Sequence, residues 1–139
     1  MLIIDTNVVS ELMRPDPNRQ VVDWLSRQNV SDVHMTALTV AEITYGLKTM
    51  PDGQRQRDLE TRFRRVVESG FSGRVLAFDE AAARHYGEIM ASRRAEGRSM
   101  SVIDGQIAAI ARTSGATLAT RNVMDFEDCN LTLLNPFGG

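Results

Sequence analysis

The sequence predicts an α/β protein in which helices cover both faces of a central parallel sheet. Five short apolar segments with the composition of strands alternate with longer segments of helical periodicity, and this alternation is typical of parallel sheets with crossover helices. The 139 residues contain no repeat and no low-complexity linker, and this length suits one compact core. We therefore predict one domain spanning residues 1–139, with right-handed crossovers between its strands.

The first half of the chain begins with a strand that should be buried. Residues 2–4 are all apolar and include two β-branched isoleucines, and the strand ends at the carboxylate of Asp5. Pro15 and Pro17 end the first helix, because proline disfavours the helical conformation in the residue before it. The predicted elements are helices at 6–13, 18–28, 39–50 and 54–68 and a second strand at 33–36.

The second half is predicted to contain three strands and two helices. Asp79 has the position of an N-cap, and Ser99 or Ser101 begins the last helix. The predicted elements are strands at 74–78, 116–120 and 131–134, helices from 80 to about 96 and from about 102 to 113, and a loop or short helix at 121–128. We expect Pro136 and the two terminal glycines to fray.

Composition and charge exclude several classes of protein. The formal net charge is −2, whereas a protein that only coats nucleic acid needs an excess of lysine and arginine. The single cysteine, Cys129, excludes an internal disulfide and a cysteine-rich zinc site, and we predict that it is a small buried side chain. No apolar run approaches 20 residues and no leader precedes the first strand, so we expect a cytoplasmic protein with no membrane partner.

Three acidic residues occupy positions where catalytic groups are often found. Asp5 ends the first strand, and open α/β sheets bind ligands in the crevice beyond the carboxyl ends of their strands. Glu42 comes three residues after Thr39, and Asp104 comes three residues after Ser101, so each lies near the start of a helix. The positions allow two interpretations, which are helix caps and capping boxes or one acidic cleft at the end of the first strand.

The second interpretation requires a cation. Two carboxylates about 4 Å apart repel by roughly 4 kcal/mol at an effective dielectric constant near 20, so several together would oppose folding by more than helix caps favour it. An all-oxygen ligand set without histidine or cysteine suits Mg²⁺ or Mn²⁺, which keep several water molecules and leave room for a phosphate. If the acids converge, we therefore expect a Mg²⁺ or Mn²⁺ site.

Four segments together resemble the motifs of the PIN-domain family, in particular those of its VapC and FitB group of bacterial toxins. The segments are 2–7 (LIIDTN), 38–42 (LTVAE), 101–109 (SVIDGQIAA) and 119–126 (ATRNVMDF). Each motif alone has low specificity, but all four occur in the family's order and span nearly the whole chain.

This resemblance implies a PIN-like three-layer α/β/α fold with a parallel sheet of strand order 3-2-1-4-5. It also implies a metal-dependent endoribonuclease that acts as the toxin of a toxin–antitoxin pair. The expected partners are an RNA substrate, a small DNA-binding antitoxin of the VapB or FitA kind, and a second copy of the chain in a homodimer.

The resemblance assigns roles to the acids. Asp5 and Asp104 would be the principal metal ligands, and Glu42 would complete an acidic triad directly or through water. The family has Asp or Asn two residues after the threonine of the fourth strand and another acid three residues further on. Here these positions are Asn122 and Asp125, so Asp125 is the fourth catalytic carboxylate if its loop turns inward. One or two bound ions would orient a water and lower its pKa for attack on the phosphodiester.

The remaining candidates are two hydroxyls, the side-chain amide of Asn122 and three arginines. By the same resemblance, Thr6 and Thr120 would support the carboxylates or a phosphate oxygen. Arg93, Arg94 and Arg98 precede the last helix, where they could steer RNA toward the cleft. The alternative is that these arginines form a solvated helix end.

Two other functions fit part of the pattern. Haloacid dehalogenases and receiver domains also place an aspartate at the end of the first strand. The dehalogenases need a second aspartate where this chain has Asn7, and receivers need adjacent acids at the first strand and a late lysine. The other alternative is a PIN fold that binds RNA or a partner with little or no catalysis, because Asn122 stands where some relatives have a carboxylate.

Overall fold

The computed structural model describes residues 1–138 and shows the predicted parallel sheet between layers of helices. The strands are β1 (Leu2–Ile4), β2 (Val33–Thr36), β3 (Val75–Leu76), β4 (Thr117–Ala119) and β5 (Thr132–Leu134). The helices are α1 (Thr6–Leu12), α2 (Arg19–Ser26), α3 (Ala37–Lys48), α4 (Gln54–Arg65), α5 (Glu80–Ala95) and α6 (Val102–Ser114). Single 3₁₀ turns occupy Val30–Asp32 and Val123–Phe126, and a π-helical turn at Val66–Gly70 extends α4.

The strands pair in parallel in the order β3-β2-β1-β4-β5, which confirms the predicted order. β1 is central, since Leu2 and Ile3 align with β2 on one side and Leu2, Ile3 and Ile4 align with β4 on the other. The direction in which the chain adds strands reverses between β1 and β4. In open α/β sheets, this reversal opens a crevice at the carboxyl ends of the two strands.

β1 is buried on both faces of the sheet. Leu2 and Ile4 belong to one apolar cluster, which includes side chains of α1 to α4, and Ile3 belongs to a second cluster with α5 and α6. The alternation follows from the two-residue period of a strand. A strand with no solvent-facing side consists of apolar residues, so Asp5, the first polar side chain, marks its end.

The start of α3 differs from the prediction in a way that affects the site. α3 begins two residues earlier than expected because Thr36 is its N-cap, with its hydroxyl oxygen accepting the amide of Thr39 at 3.3 Å. The interpretation of Thr39 and Glu42 as a capping box is therefore wrong. Glu42 instead lies in the second turn of the helix.

The C-terminal segment packs against the rest of the protein. Pro136 is buried, and the ring of Phe137 packs against the first apolar cluster and lies 4.4 Å from the guanidinium of Arg121. The prediction that Pro136 frays is therefore wrong, because the aromatic side chain that follows it holds the segment in place. Gly138 is exposed, and Gly139 lies outside the described residues.

Two further expectations concern burial and membranes. Cys129 is a free thiol and is buried in the second apolar cluster, as predicted. Across residues 1–138, no helix has both the length and the apolar character needed to cross a bilayer.

Candidate acidic site

Asp5 lies at the carboxyl end of β1, on the sheet edge where the site was expected. Its backbone amide donates to the carbonyl of Ala119 in β4 at 2.9 Å, and its Oδ1 accepts the amide of Thr6 at 2.8 Å as the N-cap of α1. The Asp5 side chain is only 5% exposed. Asp5 is thus both a helix cap and a buried carboxylate, so the two interpretations of this residue do not exclude each other.

The other carboxylate oxygen of Asp5 is held from the end of β4. Oδ2 accepts the hydroxyl of Thr120 at 2.8 Å and the side-chain amide of Asn7 at 3.3 Å. Asn7 in turn accepts the backbone amide of Arg121 at 3.1 Å, and Thr120 Oγ1 accepts that of Asn122 at 3.1 Å. These bonds fix the orientation of Asp5 and join the ends of β1 and β4. Sequence reasoning missed Asn7 as a site residue, although it belongs to the first motif.

Glu42 lies on α3 and is joined to the same edge of the sheet by a hydrogen bond from Thr6. The Thr6 hydroxyl donates to Oε1 of Glu42 at 2.6 Å and lies 2.9 Å from the hydroxyl of Thr39. Glu42 is exposed, whereas Thr39 is fully buried. The structure therefore adds Thr39, which the sequence suggested only as a helix cap, to the residues behind the site.

Asp104 and Asp125 complete the acidic edge from the other side. Asp104 is partly buried in the first turn of α6, and its amide donates to Oγ of the N-cap Ser101 at 3.1 Å. Asp125 is exposed in the 3₁₀ turn after β4. Burial raises the pKa of Asp104, the Ser101 hydroxyl lowers it, and the negative charges of Asp125 and Glu42 raise it further. Both carboxylates therefore lie within electrostatic range of Asp104.

Asp5 has the most strongly shifted carboxylate of this group. Burial raises the pKa of Asp5 from its ordinary value of 3.8 to about 6; the hydrogen bonds that it accepts lower it, and the charges of Asp104 and Glu42 raise it. The structure thus brings Asp5, Glu42 and Asp104 into one electrostatic group, with Asp125 beside Asp104. We call these four side chains the acidic site.

The acidic site fits a hard divalent cation that keeps part of its water shell. Its ligand atoms are all carboxylate oxygens, which suit Mg²⁺ or Mn²⁺. Within the described residues, 1–138, no three His, Cys, Asp or Glu side chains are arranged so that together they could hold an ion. Mg²⁺ usually binds through one or two carboxylates and several waters, so it does not need three direct protein ligands.

The three arginines predicted to steer RNA have different environments. Arg93 is 5% exposed, and its guanidinium donates to the carbonyls of Glu127 at 2.5 Å and Arg98 at 3.2 Å. These bonds use the donors of the buried Arg93 to hold the segment after β4, which argues against the prediction that it steers RNA. Arg98 forms ion pairs with Asp128 and Glu127. Arg94 is exposed, and its contact with RNA stays a prediction.

A cleft of about 770 Å³ extends from the acidic site along α1, α3 and α4. Thr6 and Glu42 line it together with apolar side chains and arginines, namely Met13, Ile43, Leu47, Leu59, Arg14, Arg55 and Arg62. A ligand that contacts the acidic site therefore has a long adjoining surface of mixed apolar and basic character.

The fold and the site together define a class of protein. A parallel sheet of order 3-2-1-4-5, with carboxylates at the end of β1, at the start of α6 and in the turn after β4, has the architecture of a PIN domain. The PIN domain family model matches residues 2–128.

Similar proteins place the chain more closely. It is 39% identical over 137 residues to the VapC ribonuclease Y4jK of Sinorhizobium fredii, covering 99% of this chain and 98% of that protein. It is 36% identical over 137 residues to the toxin FitB of Neisseria gonorrhoeae, covering 99% of each. The structure of FitAB bound to an IR36 DNA fragment superposes with a TM-score of 0.92 at 36% identity, covering 99% of this chain and 96% of that one.

The chain belongs to the PIN-domain family, in the group that contains VapC ribonucleases and the FitB toxin. This membership confirms the family indicated by the four motifs. It also shows that the haloacid dehalogenase and receiver-domain alternatives are wrong.

Proposed function

We propose that this protein is a metal-dependent endoribonuclease that acts as the toxin of a toxin–antitoxin pair in the cytoplasm. The observation that carries the proposal is the burial of Asp5 among neighbouring carboxylates, which raises its pKa to about 6. Carboxylates with strongly shifted pKa values cluster at functional sites. The names of relatives support RNA as the substrate, since they include the VapC ribonuclease of S. fredii and a tRNA(fMet)-specific endonuclease VapC of Shigella flexneri, which is 33% identical over 127 residues.

Asp5 and Asp104 are proposed to hold Mg²⁺ or Mn²⁺, with Glu42 and Asp125 completing the set directly or through water. The bound ion would supply an activated water and stabilise negative charge on the phosphate during hydrolysis. Thr120 and Asn7 hold one oxygen of Asp5 in a fixed orientation.

Glu42 has one carboxylate oxygen available for proton transfer. Thr6 donates to Oε1, and the side chain is exposed, so Oε2 would be free to accept a proton from the attacking water.

The proposed partners come from the structural neighbours. The FitAB complex and the VapBC complex of Salmonella typhimurium, which is 26% identical with a TM-score of 0.78, are both described as bound to DNA. We propose that this chain likewise pairs with a small DNA-binding antitoxin of the VapB or FitA kind and forms a homodimer. Co-purification with the product of the adjacent reading frame, followed by sedimentation of the toxin alone, tests both proposals.

The central experiment is cleavage of labelled RNA by protein that has been freed of any antitoxin. We expect cleavage with Mg²⁺ or Mn²⁺, loss of cleavage with EDTA, and loss of cleavage in Asp5→Asn. Asp52→Asn is the matched control, because Asp52 is an exposed aspartate in the turn after α3. Metal-independent RNA binding without cleavage would instead support the alternative, a PIN-fold binding module with little or no catalysis.

A further inference from the structure

We infer that Thr39 is a positioning residue of the acidic site, whose buried hydroxyl sets the direction in which Thr6 donates to Glu42. The inference rests on the proposed function, since it concerns how Glu42 is oriented toward the cation. Thr39 and Glu42 are three residues apart on α3, so their side chains emerge on the same face of the helix. Thr6, the first residue of α1, contacts both of them.

The direction of the two hydrogen bonds follows from the number of hydrogens available. A threonine hydroxyl has one hydrogen to donate and two lone pairs. An ionised carboxylate only accepts, so the Thr6 hydrogen is used in the 2.6 Å bond to Oε1 of Glu42. In the 2.9 Å bond between the two hydroxyls, Thr39 is therefore the donor. The result is a chain of two hydrogen bonds from Thr39 through Thr6 to Glu42, which we call the hydroxyl relay.

Burial fixes the first member of the hydroxyl relay. Thr39 has 0% exposure, so bulk water cannot accept its hydroxyl hydrogen. Among residues 1–138, Thr6 is the one partner of that hydroxyl. A buried donor that loses its partner is destabilising, so the bond from Thr39 to Thr6 stays formed. Glu42 is exposed and has a long side chain. The direction of its carboxylate therefore depends on the hydrogen bond that it accepts from Thr6.

Thr6, the middle member of the hydroxyl relay, also links two of the site carboxylates. The backbone amide of Thr6 donates to Asp5 at 2.8 Å, and its hydroxyl donates to Glu42 at 2.6 Å. One residue thereby sets the relative positions of a buried and an exposed carboxylate. Groups that orient metal ligands typically change metal affinity by about 10- to 100-fold when they are removed.

The first test compares three single variants. Thr39→Val keeps the shape of the side chain and deletes its hydroxyl, whereas Thr39→Ser keeps the hydroxyl. Thr113→Val is the matched control, because its hydroxyl also lies on a helix, where it donates to the carbonyl of Ala109 at 2.8 Å. Calorimetry gives the dissociation constant of Mn²⁺, and RNA cleavage gives the Mn²⁺ concentration for half-maximal activity.

We expect Thr39→Val to raise both Mn²⁺ values roughly 10-fold, with a smaller effect on kcat at saturating Mn²⁺. Thr39→Ser and the control Thr113→Val should both keep the wild-type values. A Thr39→Val protein with altered thermal stability but wild-type Mn²⁺ affinity would show that Thr39 only packs, and would overturn the inference.

A double variant separates the hydroxyl relay from two independent effects. Because Thr39 acts through Thr6, adding Thr39→Val to Thr6→Val should not weaken Mn²⁺ binding further. Additive losses would contradict the relay. Circular dichroism checks that each variant folds, and Thr6→Val, at a partly exposed position, tests the relay from its other member if Thr39→Val does not fold. If the Mn²⁺ affinities of the wild type and its variants follow these expectations but the wild type cuts no RNA, the proposed function fails and the role of Thr39 stands.

Discussion

The two sides of the acidic site are built differently. On the strand side, which consists of Asp5, Asn7 and Thr120, the carboxylate is buried and both of its oxygens accept hydrogen bonds from neighbouring groups. On the helix side, which consists of Asp104 and Asp125, the carboxylates are more accessible to solvent. Ser101 is the one hydrogen-bonding residue that shifts the pKa of Asp104.

For the proposed cation, the two sides would provide one fixed ligand and several adjustable ones. The strand side is held by the ends of two adjacent central strands, which cannot move without disturbing the core. The helix side lies on a helix start and a 3₁₀ turn, where side chains have room to change rotamer. A cation would therefore meet one preformed carboxylate and gather the others around itself.

The largest expected contrast between the two sides is in catalysis. Asp5→Asn should lower kcat/KM for RNA cleavage by on the order of 10³-fold, because it removes the buried charge that faces the cation. Asp125→Asn should lower it by only about 10-fold, as expected for a group that acts through water. Initial rates at saturating Mn²⁺ measure both, with Asp52→Asn as the control. Equal losses in the two site variants would remove the proposed distinction between fixed and adjustable ligands.

The next contrast is the pH dependence of stability in the metal-free protein. Because the folded-state pKa of Asp5 is raised from 3.8 to about 6, its contribution to the free energy of unfolding is fully present below about pH 4. That contribution is lost as the pH rises through 6, and it amounts to about 3 kcal/mol at 1.36 kcal/mol per pKa unit.

Urea unfolding in EDTA between pH 4 and 7 measures this effect as the difference between wild type and Asp5→Asn. The comparison at each pH cancels the opposite trend of Glu11, whose pKa is lowered by the amide of Asn18 and whose contribution is lost as the pH falls. The wild-type curve should decline relative to the variant as the pH rises. Parallel curves would show that Asp5 is not buried as a charged group.

Cation binding should reverse the loss of stability that accompanies ionisation of Asp5. Mg²⁺ or Mn²⁺ at about 100 times its dissociation constant should stabilise the fold by roughly 2.7 kcal/mol. Asp104→Asn should raise the stability of the metal-free protein, because it removes a like charge, and should weaken the response to the ion. Thermal melts with and without the ion measure both effects. An unchanged melting temperature in millimolar Mg²⁺ would count against the proposed cation site.

The smallest expected contrast concerns the groups that hold the carboxylates. Thr120→Val removes the hydroxyl that donates to Asp5 at 2.8 Å and should lower the free energy of unfolding by about 1.5 kcal/mol at pH 7. Ser101→Ala, which removes the N-cap of α6, should lower it by about 1 kcal/mol. Thr120→Val should also weaken Mn²⁺ binding more than Ser101→Ala does, since Thr120 holds the buried carboxylate of Asp5 whereas Ser101 contacts the more accessible Asp104. Mn²⁺ titrations of both variants decide this point.

The parallel sheet and the position of Asp5 could be predicted because they depend on local pattern and general topology. Residues 2–4 are apolar without interruption because β1 is buried on both faces, so Asp5 stands out as its polar end. The four motifs then gave the strand order through the family resemblance. The exact ends of short strands were less certain, because β3 has only two residues in the ladder.

The supporting contacts could not be predicted, because they join residues far apart in the chain. The bond from Thr39 to Thr6 spans 33 positions and that from Thr120 to Asp5 spans 115. From sequence, Thr39 had the position of a helix cap, and Arg93 had the composition of a basic surface. Neither pattern reveals that Thr36 is the cap or that Arg93 is buried against a carbonyl. Pro136 was assigned to a frayed end because the sequence does not show where the Phe137 ring packs.

The 115 positions between Asp5 and Thr120 have a consequence for the timing of synthesis. At about 5 to 20 residues per second, a ribosome adds Thr120 roughly 6 to 23 s after Asp5. Until then β1 lacks the neighbour that orients its carboxylate, and the turn with Asp125 does not exist. A nascent chain or a prematurely terminated product therefore carries Asp5 without the hydrogen bond that orients it, and the proposed activity would begin only once β4 has joined the sheet.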